Sequence, residues 1–252
     1  MLLSLKNEIV YGPVNSRRLG QSLGINIFPG RKKICTFNCL YCQYGFAPPV
    51  NPIGIKGSDC VSAAEILQEV ERILINQKLV PSYITFSGNG EPTLHPSFPE
   101  IVSGIINIRD RLVPTAKTAI LSNSTMVHVS AVREALIKLD LQIMKLEVGT
   151  EEALSAYNKP SPGITFTEIV AGLSMLHKVT IQALFSGGPQ GNFNEDNIEG
   201  WLQAMKMLKP VSAQIYSLSR TAPTRSITRL EKQDLMPLKS RLDSENITAT
   251  VF

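Results

Sequence analysis

The chain has 252 residues, 43% of them apolar and 18% charged, with a net charge of +4. That length suits one large domain, spanning 1–252, which can bury a full core without disulfide staples. No stretch approaches the roughly 18 uncharged apolar residues of a membrane span, and the apolar run of the opening "MLLSLKNE" is too short, and broken by Lys6, for a signal peptide. The expectation is a cytoplasmic protein with reduced thiols and no membrane partner, in which clustered cysteines mean metal or redox chemistry. The positive charge is uneven. Residues 1–33 carry Lys6, Arg17, Arg18, Arg31, Lys32 and Lys33 against Glu8, a basic segment next to the cysteines. It reads either as a solvated surface or as a positive rim for an acidic partner or anionic substrate.

In chain order, "LGINIFP" (Leu23 to Pro29) is the first predicted strand, followed by a cysteine loop over 31–45. "SAAEILQEVERILIN" follows as a helix, its Ile66, Leu67, Val70, Ile73 and Leu74 spaced on one face. The strands "SYITFSG", "KTAILSN", "LQIMKLEVG", "VTIQALFSG" and "SAQIYSLS" come next, with helices near 97–111, 128–139, 165–178, 195–208 and 229–243; "ITATVF" closes the chain as a short strand. Six βα units predict an α/β fold: a parallel barrel or open partial barrel with its site at the C-terminal strand ends. A doubly wound sheet is the runner-up. No linker, low-complexity tract or repeat beyond the βα period is visible.

A parallel strand covered on both faces is normally apolar throughout. Here Lys145 and Glu147 share a face of one strand, Gln182 and Ser186 of the next, and Gln214, Tyr216 and Arg220 of the last. Several strands breaking the rule together predict a polar lumen, with Lys145, Glu147, Gln182, Gln214 and Tyr216 as candidates to line the substrate space. Arg220 suits a strand end in water equally well, and Lys145 with Glu147 suits a structural ion pair.

"KICTFNCLYCQYG" holds three of the four cysteines, Cys35, Cys39 and Cys42. Thiolates at C-x-x-x-C-x-x-C spacing on a loop converge on a soft metal centre, and a [4Fe–4S] cluster held by three of them keeps one iron open for a non-protein ligand. Cys60, before the first predicted helix, is expected outside that set. With Cys60 as a fourth ligand the competing reading is a zinc knuckle, although zinc ribbons usually show two C-x-x-C pairs. A non-catalytic zinc or iron–sulfur module binding RNA or a protein partner is the alternative function.

Cys35-x-x-x-Cys39-x-Tyr41-Cys42 resembles the signature loop of the radical S-adenosylmethionine (SAM) superfamily, which follows the first strand of a partial (βα)6 barrel. The resemblance implies a [4Fe–4S] cluster and SAM as cofactors. It also implies reductive SAM cleavage to a 5′-deoxyadenosyl radical that abstracts hydrogen from substrate. It would put Tyr41 near the adenine. Gly88, Asn89, Gly90 and Glu91, ending the next strand, resemble the glycine-rich segment that meets the methionyl amine; glycines admit close backbone approach and a carboxylate complements an ammonium. Asn123 and Glu147 fall where the superfamily commonly places ribose-binding side chains. More narrowly, "YGPVNSRRLGQSLGINIFPGRKKICTFNCLYCQYG" and "KLEVGTEEALSAYNKP" resemble the stand-alone branch grouped with tRNA wyosine synthases. Those enzymes carry further cysteines for a second cluster, whereas this chain has only Cys60 to spare. Lys145 and Glu147 are the candidate catalytic pair. A flavodoxin- or ferredoxin-like electron donor and a small-molecule, peptide or RNA substrate are the expected partners.

Overall fold

A computed structural model describes residues 2–252, the side chain of Asp59 excepted. Among the described residues a single sheet of eight strands runs in sequence order. β1 (Val10–Ser16) and β2 (Gly20–Ile25) form an antiparallel hairpin. From β2 the pairing is parallel through β3 (Tyr83–Phe86), β4 (Lys117–Ser122), β5 (Leu141–Lys145), β6 (Val179–Leu184), β7 (Ser212–Tyr216) and β8 (Ala249–Val251). Unbroken sequential order excludes the doubly wound alternative, which needs a reversal of strand order.

Helices connect the parallel strands: α1 (Ala63–Gln77), α2 (Phe98–Leu112), α3 (Ser130–Ile137), the short α4 (Glu151–Ala153), α5 (Phe166–Ser174), α6 (Glu195–Leu208) and α7 (Lys232–Ser244). Local chemistry sets their starts. Ser62 accepts from Glu65 N at 3.2 Å and Asn194 from Asn197 N at 3.1 Å, each meeting an amide that has no partner inside its helix. α1 then buries Ile66, Val70 and Leu74 on one stripe.

The sheet curls until its two ends meet. Leu19, in the β1–β2 turn, packs against Ala119 of β4 and Ile143 of β5, plugging the end where the parallel strands begin. Beside it the Arg18 guanidinium lies 4.2 Å from the ring centre of Tyr216 and 4.9 Å from that of Phe252. β1 and β8 share no ladder, so side chains from the first hairpin bridge the seam. The hairpin replaces the expectation of a first strand at Leu23. β1 contains Gly12 and Pro13 and is exposed along most of its length, so it lacks the apolar alternation by which strands are read.

Polar alternation does mark a lumen. In β7, Ser212, Gln214 and Tyr216 are partly exposed on the inner face, while Ala213 and Ile215 are buried beneath the helices. At the outer layer the loop after β5 touches the α6 backbone so closely that a Cβ on Gly149 would overlap Trp201 N and the Gly200 carbonyl carbon. Trp201, fully buried, donates from Nε1 to the Leu146 carbonyl at 2.7 Å. Gly149→Ala is therefore expected to cost about 1–3 kcal/mol by overpacking. Gly54→Ala, which meets nothing within 4 Å, is expected to stay within about 0.5 kcal/mol. Denaturant unfolding of both variants checks the contrast.

Candidate functional site at the barrel mouth

The cysteine loop has almost no regular structure, and its backbone is fastened from two sides. On one, Ile34 bridges to Gly90 beyond β3: Ile34 N donates to Asn89 O at 2.9 Å and Glu91 N to Ile34 O at 2.8 Å. On the other, Asn38 N donates to Asn158 O at 2.9 Å and Leu40 N to Tyr157 O at 3.0 Å. Those acceptors lie in the π-turn Leu154–Asn158 that continues α4, an element the periodicity had not indicated. The loop is thus held across the C-terminal ends of the parallel strands.

Each of its three thiols faces a side-chain donor. Asn123 Nδ2 lies 3.5 Å from Cys35 Sγ, Asn158 Nδ2 3.3 Å from Cys39 Sγ, and Lys33 Nζ 3.6 Å from Cys42 Sγ. Lys33 is only 8% exposed and also donates to Gly45 O at 2.8 Å. It therefore belongs under the loop and not on the positive rim, which keeps the exposed Arg17, Arg31 and Lys32. Desolvation, reinforced by the neighbouring Cys39, pushes the Cys35 thiol well above its ordinary range. Desolvation and the Glu147 carboxylate push Cys39 up to about 12, against the Asn158 hydrogen bond. Both are neutral thiols near pH 7, and a metal that takes them as ligands must displace their protons. Among the described residues no three Cys, His, Asp or Glu side chains converge on one single-ion position. Cys60 sits apart, its Sγ directed at Lys56 O at 3.5 Å, just before α1.

Below the loop, Lys145 and Glu147 meet through a tyrosine instead of directly. Tyr41 OH donates to Glu147 Oε1 and accepts from Lys145 Nζ at 3.1 Å. Lys145 also reaches Tyr216 OH at 3.1 Å, and Gln182 Nε2 donates to Gln214 Oε1 at 2.9 Å. Burial alone would lower the Lys145 pKa, but Glu147 and the surrounding acceptors hold it above its ordinary value, so the ammonium stays charged. Burial, then the nearby Cys39 and Glu147, keep the Tyr41 phenol protonated far into the basic range. Glu147 Oε1 also accepts from Asn158 Nδ2 at 2.9 Å, while its Oε2 is buried and meets no donor among the described residues. A crevice of about 10 Å³, lined by Phe37, Asn123, Lys145, Glu147 and Asn158, lies here.

The Gly88-to-Glu91 turn has other partners. Asn89 Nδ2 donates to the carbonyls of Lys6, Phe28 and Gly30 at 2.6, 3.1 and 3.2 Å, tying down the N-terminal segment. Glu91 accepts from Thr93 N, Thr93 Oγ1, Ser122 Oγ and Asn123 N between 2.5 and 3.0 Å, which joins the turn to β4. Asn123 is brought to Cys35, and Glu147, Tyr41 and Lys145 to one another; Gln182, Gln214 and Tyr216 line the lumen beneath. Sequence reasoning did not single out Asn158, although it lies within the quoted "SAYNKP", and it placed Lys33 and Arg18 on the surface.

Residues 32–208 match the family profile described as the Radical SAM superfamily. The chain belongs to the Radical SAM superfamily. A UPF0026 protein, slr1464, from Synechocystis is 31% identical over 85% of this chain and 77% of its own length. Across the curated relatives it matches, the chain spans from 34% to 77% of their length. In fold it is similar to a radical SAM methyltransferase from Sphaerobacter thermophilus, with TM-score 0.66 at 15% identity, covering 92% of this chain and 65% of that one. It is also similar to TYW1 with a lysine-pyruvate adduct bound, with TM-score 0.60 at 16% identity, covering 88% and 73%. No described helix is long and apolar enough to cross a membrane.

Gly90 has φ +144°, and a Cβ there would overlap the Ile34 carbonyl. This glycine serves the approach of the cysteine loop itself. Gly90→Ala is therefore expected to free Ile34 and its neighbour Cys35, raising the rate at which the metal-free thiols react with a disulfide reagent. A wild-type rate would show that the bridge does not restrain the loop.

Proposed function

We propose that Cys35, Cys39 and Cys42 hold a [4Fe–4S] cluster and that SAM binds beside it, against Asn123, Glu147 and Asn158, by widening the narrow crevice between them. The observation that carries this reading is the donor set: three thiols of one loop at the barrel mouth, each facing its own N–H donor. Three thiols on one loop suit a polynuclear group whose irons take one thiolate each. The residues fit. The buried Oε2 of Glu147 is an acceptor for a ribose hydroxyl, Tyr41 offers a ring beside it, and Asn123 lies across the crevice. Because four donors occupy the Glu91 side chain, and the Gly88, Asn89 and Glu91 carbonyls accept from Gly90 N, Ile34 N and Leu94 N, the Gly88, Asn89, Gly90 and Glu91 turn would meet the methionyl amine through the Gly90 carbonyl.

Held by Cys35, Cys39 and Cys42, such a cluster would supply the electron for reductive cleavage of SAM. The chain's own work is positional and electrostatic. Lys33, Asn123 and Asn158 offset negative charge on the three sulfurs. Lys145 and Glu147, joined through Tyr41, keep a fixed cation and acceptor below the mouth, where Gln182, Gln214 and Tyr216 line the substrate space. The exposed Arg17, Arg31 and Lys32 suit docking of an acidic flavodoxin- or ferredoxin-like donor, weakened by salt over a Debye length of about 10 Å at 0.1 M.

The deciding experiment is anaerobic reconstitution with iron and sulfide, dithionite reduction and assay of methionine and 5′-deoxyadenosine. Production of both supports the reading; a loaded protein that leaves SAM intact returns it to a non-catalytic module. Alanine at Cys35, Cys39 or Cys42 is expected to lose cluster and cleavage together, whereas Cys60→Ala retains both. Asn158→Leu is expected to keep iron but shift the cluster's reduction potential to a more negative value, because an N–H donor favours the reduced, more negative state. An EPR-monitored redox titration reads that shift.

A further inference from the structure

The lumen contains a cation that neither the cysteine loop nor the Lys145–Glu147 pair uses. Arg18 leaves the β1–β2 turn with its guanidinium between the rings of Tyr216 and Phe252. Its Nε and Nη2 are buried and meet no acceptor among the described residues, and no ion pair reaches the side chain. Aromatic faces attract a guanidinium but offer nothing to its in-plane N–H groups. Arg18 is half-buried, and leaving its two covered donors unsatisfied is unfavourable until an acceptor joins them. Lys145, by contrast, is compensated by Glu147.

The orphaned atoms specify the shape of that anion. Nε and Nη2 form one edge of the guanidinium, and their N–H bonds point the same way, matching two oxygens of one carboxylate or phosphate. The same edge is used elsewhere in this chain, where Arg72 Nε and Nη2 each lie 2.7 Å from a carboxylate oxygen of Glu69. Tyr216 links the two lumen cations, carrying Arg18 on its face and Lys145 at its hydroxyl, 3.1 Å away. Lys145, Gln214 and Tyr216 are partly exposed, whereas the Arg18 edge is covered, so an anion reaches it by displacing the groups packed against it.

We propose that the Nε–Nη2 edge of Arg18, with Lys145 beyond Tyr216, is the subsite for a two-oxygen anionic group, carboxylate or phosphate, on the molecule this barrel acts on. The fate of the bound molecule rests on the radical SAM reading; capture of the anion does not. Bound at this edge, the anion anchors the substrate deep in the lumen and directs the remainder toward the mouth, where the cysteine loop lies. Arg17, adjacent in sequence but exposed, has no such surroundings.

The test titrates malonate and inorganic phosphate separately into the reconstituted full chain by calorimetry at constant ionic strength. Saturable one-to-one binding of at least one probe is expected, and the probe that binds names the source as carboxylate or phosphate. Arg18→Gln should weaken it at least tenfold and Arg17→Gln should leave it unchanged. Arg18→Lys keeps the charge but loses the edge, so it should also bind more weakly, and it carries the comparison if circular dichroism shows Arg18→Gln misfolded. Absence of saturable binding to the wild type, wild-type affinity in the folded Arg18 variant, or equal loss in Arg17→Gln overturns the proposal. SAM cleavage measured on the same wild-type preparation separates the two readings. Cleavage without anion binding removes this subsite alone, whereas anion binding without cleavage removes the radical reading alone.

Discussion

The site depends on one short backbone contact, the bridge between Ile34 and Gly90. A loop carrying three cysteines within eight residues has no helix or strand of its own to stiffen it, and its thiols would otherwise sample many arrangements. The bridge fixes the backbone next to Cys35 against the end of β3. Asn89 and Glu91, on either side of Gly90, extend that anchorage to the N-terminal segment and to β4. Buried side-chain hydrogen bonds of this kind are costly to leave unmade, so the turn, the loop and the strand ends hold one another in place.

Around that anchor the polar groups are distributed by task. The sulfurs face nitrogen donors, which favour negative charge on them. One layer lower, Tyr41 joins Lys145 to Glu147, so that a half-buried ammonium and a buried carboxylate share a partner without forming a direct ion pair. The small distance between these layers has an electrostatic consequence: Glu147 acts on Cys39 and on Lys145 at once, raising both pKa values. Asn158 contacts Cys39 and Glu147 with the same amide nitrogen, which couples the geometry of the loop to that of the lumen.

Much of this was legible beforehand because it is encoded locally. The parallel strands β3 to β7 and the longer helices follow from apolar periodicity and N-caps such as Ser62, and the inner face of the barrel from polar residues at alternate strand positions. β1 was not legible, because its glycine, proline and exposed side chains leave no periodic signal. The π-turn after α4 was missed for a similar reason: a single turn of five residues is too short for periodicity to identify.

The sequence by itself determined the spacing of Cys35, Cys39 and Cys42, the order of the βα units and the polar character of the strand faces, since each is a property of neighbours along the chain. Tertiary structure alone decided where the cations act. Lys33 and Arg18 stand in the same basic run as the exposed Arg17 and Lys32, and composition treats them alike. Folding turns Lys33 under the loop toward Cys42 and brings Arg18 across the seam to Tyr216 and Phe252, residues about 200 or more positions away. A side chain's charge is local, but what it faces is set by contacts between distant segments, and those exist only once the sheet has curled.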